Sequence, residues 1–446
     1  MHSKPTKIWR RSAPSLYHHI SSVKPQFMTR VGDELDKTIA FRSEIIPDKA
    51  KETLTTSLLY SQGSDIYEID CALPLGSFYG KKSSGDAAVA TAAPVKHEAE
   101  GGGAFCDIED KKLSPKWVYS GETVSKMCYL DDSEDSTIIA MSKNGSLAWF
   151  RDGIRVPIHI VQEMMGPMTS FAAMHSHVRP QALAISDFGL SENLETLVKS
   201  QSNGSEEDSI LKIVDNAGKP GEVLRTMHVP GTTVTHTVRF FDNYTFGSCS
   251  DDNTIRFWDI RTADKPIFSL SEPKNGKLTA FDASQITNEL FVTGTSTGVI
   301  KLWDIRSVEF ATTDLTHRQN GHDPIQTELV NLYHSGGDSV ADVQFSPTSS
   351  SEFATVGGSG NVYHWDMEFF FSQNDDDDAG ATAKLPAPEE LQGQCLKFFH
   401  IGNNQQKRNV KNSVAWHPTI DDLVCTVDDT SLISVYKPFP IRDYLS

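Results

Sequence analysis

Catalysis or metal binding needs particular side chains at particular spacings, and few such spacings occur among these 446 residues. His175 and His177 are one residue apart, as two metal ligands on a strand would be. No Cys, Asp or Glu stands beside them at ligand spacing, so a polar turn is the simpler account. Gly101, Gly102 and Gly103 precede no Lys-Ser/Thr and open no helical pattern, so they do not make a phosphate loop. Neither G-x-S-x-G nor H-E-x-x-H occurs. The cysteines at 71, 106, 128, 249, 395 and 425 form no C-x-x-C pair and read as reduced thiols rather than a disulfide or metal framework. The expectation is a protein without catalysis, cofactor, metal or small-molecule substrate, whose work is binding other proteins.

Charge narrows the partners. The formal net charge is −18, which argues against a general affinity for the nucleic-acid backbone. Residues 1–30 nevertheless carry Lys4, Lys7, Arg10, Arg11, Lys24 and Arg30 with no acid, so the remainder is more acidic still and should favour basic partners. No apolar run near the start suits a signal peptide, and nothing approaches the ~18 apolar residues of a membrane span.

The elements that would position any binding surface follow from an internal repeat. GSCSDDNTIRFWDIR (247–261), VTGTSTGVIKLWDIR (292–306) and ATVGGSGNVYHWDM (354–367) superimpose directly, each running strand, tight polar turn, alternating strand, Trp-Asp. Fainter copies are CTVDDTSLISVYKP (425–438), with Tyr436 in the Trp place, and IAMSKNGSLAWF (139–150), ending on Trp149. Gly, Asn and Asp suit the turns, and alternation such as Ile255, Phe257 against Arg256 suits a half-buried strand. One such four-stranded unit cannot bury both of its faces, so the units must close into a ring. Final-strand positions near 69, 149, 214, 258, 303, 365 and 436 predict an all-β, seven-bladed WD-repeat propeller over 54–438, with a tail at 439–446. Polar excess between units predicts insertions at about 77–113 (disordered), 191–208, 307–336 and an acidic, Pro-rich loop at 372–394. The third unit is read as strands within 181–190 and 209–218. Only Asp252 occupies the turn place from which WD repeats run an Asp–His–Ser/Thr–Trp hydrogen-bonded chain; Lys143, Thr297, Ser359 and Thr430 stand in the others.

The chain ends carry a more specific resemblance. KIWRRSAPSLYHHI (7–20) resembles the N-terminal helix of the retinoblastoma-associated, Msi-type histone-binding WD proteins, and LPAPEELQGQCLKFFHIG (385–402) looks like their Pro-rich acidic loop. NSVAWHP (412–418) continues the register. The pattern is closest to the fungal WD-repeat subunit of class I histone deacetylase co-repressor complexes. The resemblance implies a nuclear, possibly also cytoplasmic, scaffold whose partners are a deacetylase, a co-repressor subunit and core histones, with a basic helix in residues 1–30 docked on the last blade. One departure concerns the channel. The family's glutamate–valine–asparagine–arginine run is here Thr123-Val124-Ser125-Lys126, without the carboxylate that reads basic peptides.

Two candidate sites follow. The resemblance places a partner-binding groove between the helix, with Trp9, Leu16 and Tyr17, and a loop bearing Asp375, Asp376, Asp377, Asp378, Glu389, Glu390 and Leu391. Simple docking of the helix accounts equally for Trp9 and Leu16, and a solvated loop for the Asp run. The second site is the rim, where Arg261 and Arg306 follow their tryptophans by three residues. Such arginines resemble the W-D-x-R boxes of cullin-type ubiquitin-ligase receptors, or bridge acids on the neighbouring blade.

Overall fold

The computed structural model describes residues 17–26, 36–48, 50–74, 108–131, 137–162, 186–201, 209–231, 233–262, 264–272, 274–313, 328–375, 388–401 and 411–438. Their strands form seven sheets, six antiparallel meanders of four strands and one such meander with a fifth strand added parallel at its outer edge. The first strand of each meander touches the first strand of its neighbour, as Thr235–Phe240 touches Leu278–Ala283. First strands therefore line the axis and fourth strands the rim, and the sheets are the seven blades of a propeller.

The seven marker positions all fall in strands, but in the third strand of each blade rather than the last, as with Trp258 in Thr254–Asp259 and Trp303 in Val299–Asp304. The turn before that strand puts Asn253 and Gly298 at φ 58° and 83°, where side chains other than Asn and Asp are disfavoured and Gly is free. Trp258 sits opposite Phe246 and packs back onto blade 3 with Val198, Leu211 and Met227. In blade 2 the equivalent slot belongs to Phe150, which packs on Leu59 and Ile66 of blade 1. Trp149 faces the other way, among Leu197 and Val214 of blade 3. The sequence marker was thus one residue early, because two adjacent aromatics fit the pattern.

The core is seven slabs, one between each pair of blades. Close approach is built in: a Cβ on Gly294 of blade 5 would lie 2.3 Å from Val340 Cγ1 of blade 6. Of the WD hydrogen-bonded chain, the Trp half forms three times: Trp258 to Ser248, Trp303 to Thr293 and Trp365 to Thr355, each at 2.9 Å. Blade 6 extends it, since Thr355 Oγ1 donates to His334 Nε2 at 2.6 Å and His334 Nδ1 donates to the Asp338 carbonyl. Asp252 instead pairs with Arg256 at 2.5 Å.

Several expectations need correcting. Tyr17–Gln26 is a strand, not the end of a helix; it pairs antiparallel with Ile433–Pro438 and so completes the last blade from the N-terminal end of the chain. Val23 and Pro25 are buried while Lys24 and Gln26 are exposed, a period of two that outweighs the helical spacing read from Leu16 and Ile20. The front of the expected helix, with Trp9 and Leu16, lies outside the described residues. The insertion expected at 77–113 ends in a strand, Ile108–Lys112, which adds parallel to Tyr17–Gln26 as the fifth strand of blade 7. Residues 191–208 are not wholly an insertion: Thr196–Gln201 is the second strand of blade 3, between Phe188–Leu190 and Ile210–Asp215. The 307–336 segment likewise contains a helix and the fourth strand of blade 5, Glu328–Tyr333. That helix is α1 (Ile305–Thr313); among the described residues two further α-helices, α2 (Glu368–Asp375) and α3 (Pro388–Cys395), flank blade 6. They occupy much of what reads as an acidic loop, because Phe370, Leu391 and Cys395 can bury together against blade 6. Pro388 opens α3, the position where its missing N–H is harmless.

Candidate partner-binding site

The expected groove draws its residues from both sides of blade 6. Tyr17 lies on the blade 6–7 side, packed edge-on to Phe398 and hydrogen-bonded to His400 Nδ1 at 2.9 Å. Leu391 is buried on the blade 5–6 side with Phe370 and Cys395, and Gln392 beside it donates to the Tyr333 carbonyl. Tyr17 and Leu391 thus anchor separate layers. Asp375 ends α2 and Glu389 lies in α3, where Glu390 is exposed to solvent. Asp376, Asp377 and Asp378 lie outside the described residues. At the foot of this edge Lys397 bonds Glu352 at 2.8 Å and Asp422 at 2.7 Å. Burial and the Asp422 charge push the Glu352 carboxyl up to about 7 despite Lys397.

The rim arginines turn inward to their own blades. Arg261 bonds Asp259 at 2.6 Å and lies over the Tyr244 ring. Arg306 bonds Asp304 at 2.8 Å and Glu289 at 3.1 Å. The bridge to a neighbouring blade is not formed, because the Asp of each Trp-Asp pair lies two residues away on the same turn. Both side chains are about two-thirds exposed, so these pairs are open to solvent and weak.

A site missed in the sequence lies on the axis. Lys126, Asp187, Arg239, Asp282, Asp342 and Lys411 come from, or just before, the first strands of blades 2 to 7 in turn. Asp187 is 2% exposed and accepts from Lys126 Nζ at 2.7 Å, Arg239 Nη1 at 2.6 Å and the Val238 N–H at 3.0 Å. Arg239 also reaches Asp282 at 3.0 Å, and Asp282 accepts from the Phe345 N–H. Burial alone would raise the Asp187 carboxyl, but Lys126, Arg239 and Lys411 hold it well below the usual carboxylate range. Burial pushes Asp282 up to about 6 against the pull of Arg239.

Blade 7 then reaches across the ring. Lys411 donates to the His236 carbonyl and Thr237 Oγ1 of blade 4, and Asn412 Nδ2 to the Ser125 carbonyl of blade 2. These bonds cross the mouth of the channel. The axis is therefore a self-satisfied ionic plug, and Lys126, where the histone-binding resemblance would have a cation beside a carboxylate, is already committed. The available signal was a charge in, or just before, the first strand of each of these blades, as Arg239 in THTVRF and Asp282 in LTAFDA.

Among the described residues no group of His, Cys, Asp or Glu could hold a metal ion, and no helix is long and apolar enough to cross a membrane. The WD domain, G-beta repeat, matches residues 221–259, which run from the fourth strand of blade 3 through the third of blade 4. Transcriptional modulator WTM2 of Saccharomyces cerevisiae is 63% identical over 98% of this chain and 96% of its own. The chain belongs to the family of these WD-repeat transcriptional modulators. A more distant family member, transcriptional regulatory protein UME1 of the same yeast, is 39% identical over 97% of this chain and 93% of its own. Outside the family, histone acetyltransferase type B subunit 2 of Debaryomyces hansenii matches at 24% over 44% of the chain and 41% of its own. Among solved structures, a chain of the mitotic checkpoint complex aligns with a TM-score of 0.53 at 11% identity, covering 95% of this chain and 94% of that one, a likeness of fold alone.

Proposed function

We propose that the protein is a non-catalytic scaffold of a histone deacetylase co-repressor complex, acting in the nucleus on transcription through chromatin. The observation that carries this reading is the near full-length identity to a named transcriptional modulator. The rigid ring with a sealed axis supports it, since partners must then meet the faces and edges of the blades rather than thread the channel. In this reading the expected helix–loop groove of Trp9, Leu16, Tyr17, the Asp375–Asp378 run, Glu389, Glu390 and Leu391, of which Tyr17 and Leu391 lie on opposite sides of blade 6, receives a basic or helical partner segment. A stand-alone histone chaperone is the second reading, favoured by the partial match to the acetyltransferase subunit. The cullin-receptor reading has less support, because Arg261 and Arg306 are bonded within their own blades.

The test is gentle purification of the tagged protein from its native cells, with stoichiometric partners identified by mass spectrometry and deacetylase activity assayed. A deacetylase with its co-repressor subunit is the expected result. Recovery of histones alone would replace the scaffold with the chaperone, and recovery of neither would overturn both.

A further inference from the structure

In an up-and-down meander, the loops joining first to second strands and third to fourth strands share one end of the ring. Among the described residues, the exposed large apolar side chains, apart from Tyr333 and Ile401, sit in or beside those loops. Among the described residues this face is apolar in patches, and the opposite face exposes only Tyr333 and Ile401 of that kind. Its densest part is the third-to-fourth-strand loop of blade 2 and the short strand after it, RDGIRVPIHIV (151–161). Every second residue there is aliphatic and uncovered: Ile154 is 42% exposed, Val156 54%, Ile158 45% and Ile160 42%. Val223 and Leu224 of blade 3 extend the patch, and the turn at Gly221 abuts His159 and Val161. Exposing a contiguous aliphatic stripe to water is unfavourable for a soluble chain unless something covers it.

The charges around the stripe say what. The carboxylates are already engaged: Asp152 by Arg42 at 2.8 Å, Asp215 by the N–H groups of Ala217, Gly218 and Lys219, and Glu222 by Lys219. Arg155 stands exposed in the middle of the stripe and pairs with no carboxylate among the described residues. On a chain of net charge −18, this sector offers aliphatic side chains with positive charge between them.

We propose that this face of blades 2 and 3 is a docking surface for an amphipathic segment of a partner protein in which acidic residues alternate with aliphatic or aromatic ones. The segment's apolar side chains cover Ile154, Val156, Ile158 and Ile160, and its carboxylates meet Arg155. This deepens the scaffold reading and rests on it only in requiring a protein partner; it adds a second surface, on the far side of the ring from blade 6, with the opposite charge preference.

The test uses the full chain and a fluorescein-labelled synthetic peptide of about 16 residues alternating Leu or Phe with Asp or Glu. Two control peptides replace its apolar residues with Ser or its acids with Lys. Fluorescence anisotropy should show the acidic amphipathic peptide binding about tenfold or more tighter than either control. Val156→Asp and Arg155→Glu should each weaken it about tenfold, and Arg155→Glu should shift preference toward the Lys peptide. Both side chains are exposed, so unchanged urea midpoints confirm folding. Absence of binding, equal binding of the Lys peptide, or indifference to Val156→Asp overturns the proposal. A dimer in sedimentation that Val156→Asp dissociates, without peptide binding, overturns it in favour of a second copy as occupant. A failed peptide titration would leave co-purification of a deacetylase untouched, so the two readings fail separately.

Discussion

Replacing Asp187 by Asn tests whether the axial plug holds the ring together. The carboxylate takes three short hydrogen bonds, from Lys126, Arg239 and the Val238 N–H, in a place where Asp187 itself is 2% exposed. Asn keeps an acceptor for one donor but removes the charge that neutralises two cations. Lys126 and Arg239 are only 16% and 15% exposed, so water replaces little of what is lost. Removing one partner of a buried pair costs about 3–5 kcal/mol. Arg239 keeps Asp282, which puts the expected loss near the lower bound, about 3 kcal/mol. Urea denaturation followed by tryptophan fluorescence reads it, because Trp117, Trp149, Trp258, Trp303 and Trp365 are fully buried between blades. A second variant, Lys126→Met with Asp187→Leu, should recover part of the loss, since apolar replacement of a whole buried pair is often neutral or stabilising. A loss below ~1 kcal/mol for Asp187→Asn, the value of a solvent-exposed pair, would refute the reasoning.

Other outcomes follow from the same geometry. Burial holds His236, His334, His364 and His417 neutral, pushing them down to about 3, 4, 3 and 4. The unfolded chain takes up those protons first, so stability present above about pH 6.5 should be lost as pH falls toward 4. Asp282 and Glu352, raised to about 6 and 7, act in the opposite sense and regain stability on acidification. Four histidines against two carboxylates predict a net fall in urea midpoint from pH 7 to 5, and a flat or rising midpoint would refute the balance. His334→Phe leaves the Thr355 hydroxyl without its acceptor and should cost about 1–3 kcal/mol by the same assay. Gly294→Ala drives a methyl into Val340 and should cost about 1–3 kcal/mol, with the loss relieved by Val340→Ala. Arg261→Ala and Arg306→Ala, at exposed pairs, should each shift stability by less than about 1 kcal/mol.

The propeller was legible because a blade repeats locally. Turn chemistry at Asn253 and Gly298, alternation after it and a Trp at the end recur within one short stretch, so each copy reports itself. Blade 3 was half legible: its second strand, TLVKSQ, has a buried Lys199 and lies between Glu192 and Glu195 on one side and Glu206-Glu207-Asp208 on the other, so polarity masked the pairing. Closure was not legible at all. Nothing near Tyr17 announces that its partner is Tyr436's strand, because pairing between the chain's two ends leaves no local pattern. The axial ions were equally hidden, since a charge in or just before a strand reads as the solvent side until the ring places six of them around one axis. The candidate edge site was legible only by resemblance, and Leu391 shows the limit: its burial against blade 5 depends on α2 and α3 packing together, which no single segment encodes.

The last blade takes one strand from residues 17–26 and its other main strands from 414–438, and this has a consequence for the timing of synthesis. At a translation rate of roughly 5–20 residues per second, the N-terminal strand waits on the order of a minute for the strand it must join. During that interval six blades can already be stacked, yet the arc stays open with two unpaired edges facing each other. Premature termination just before Ile433 would leave the strands of blades 1 to 6 complete and the ring unclosed. For this protein, the strand Ile433–Pro438 decides whether the blades before it become a closed body or an exposed arc for chaperones to hold.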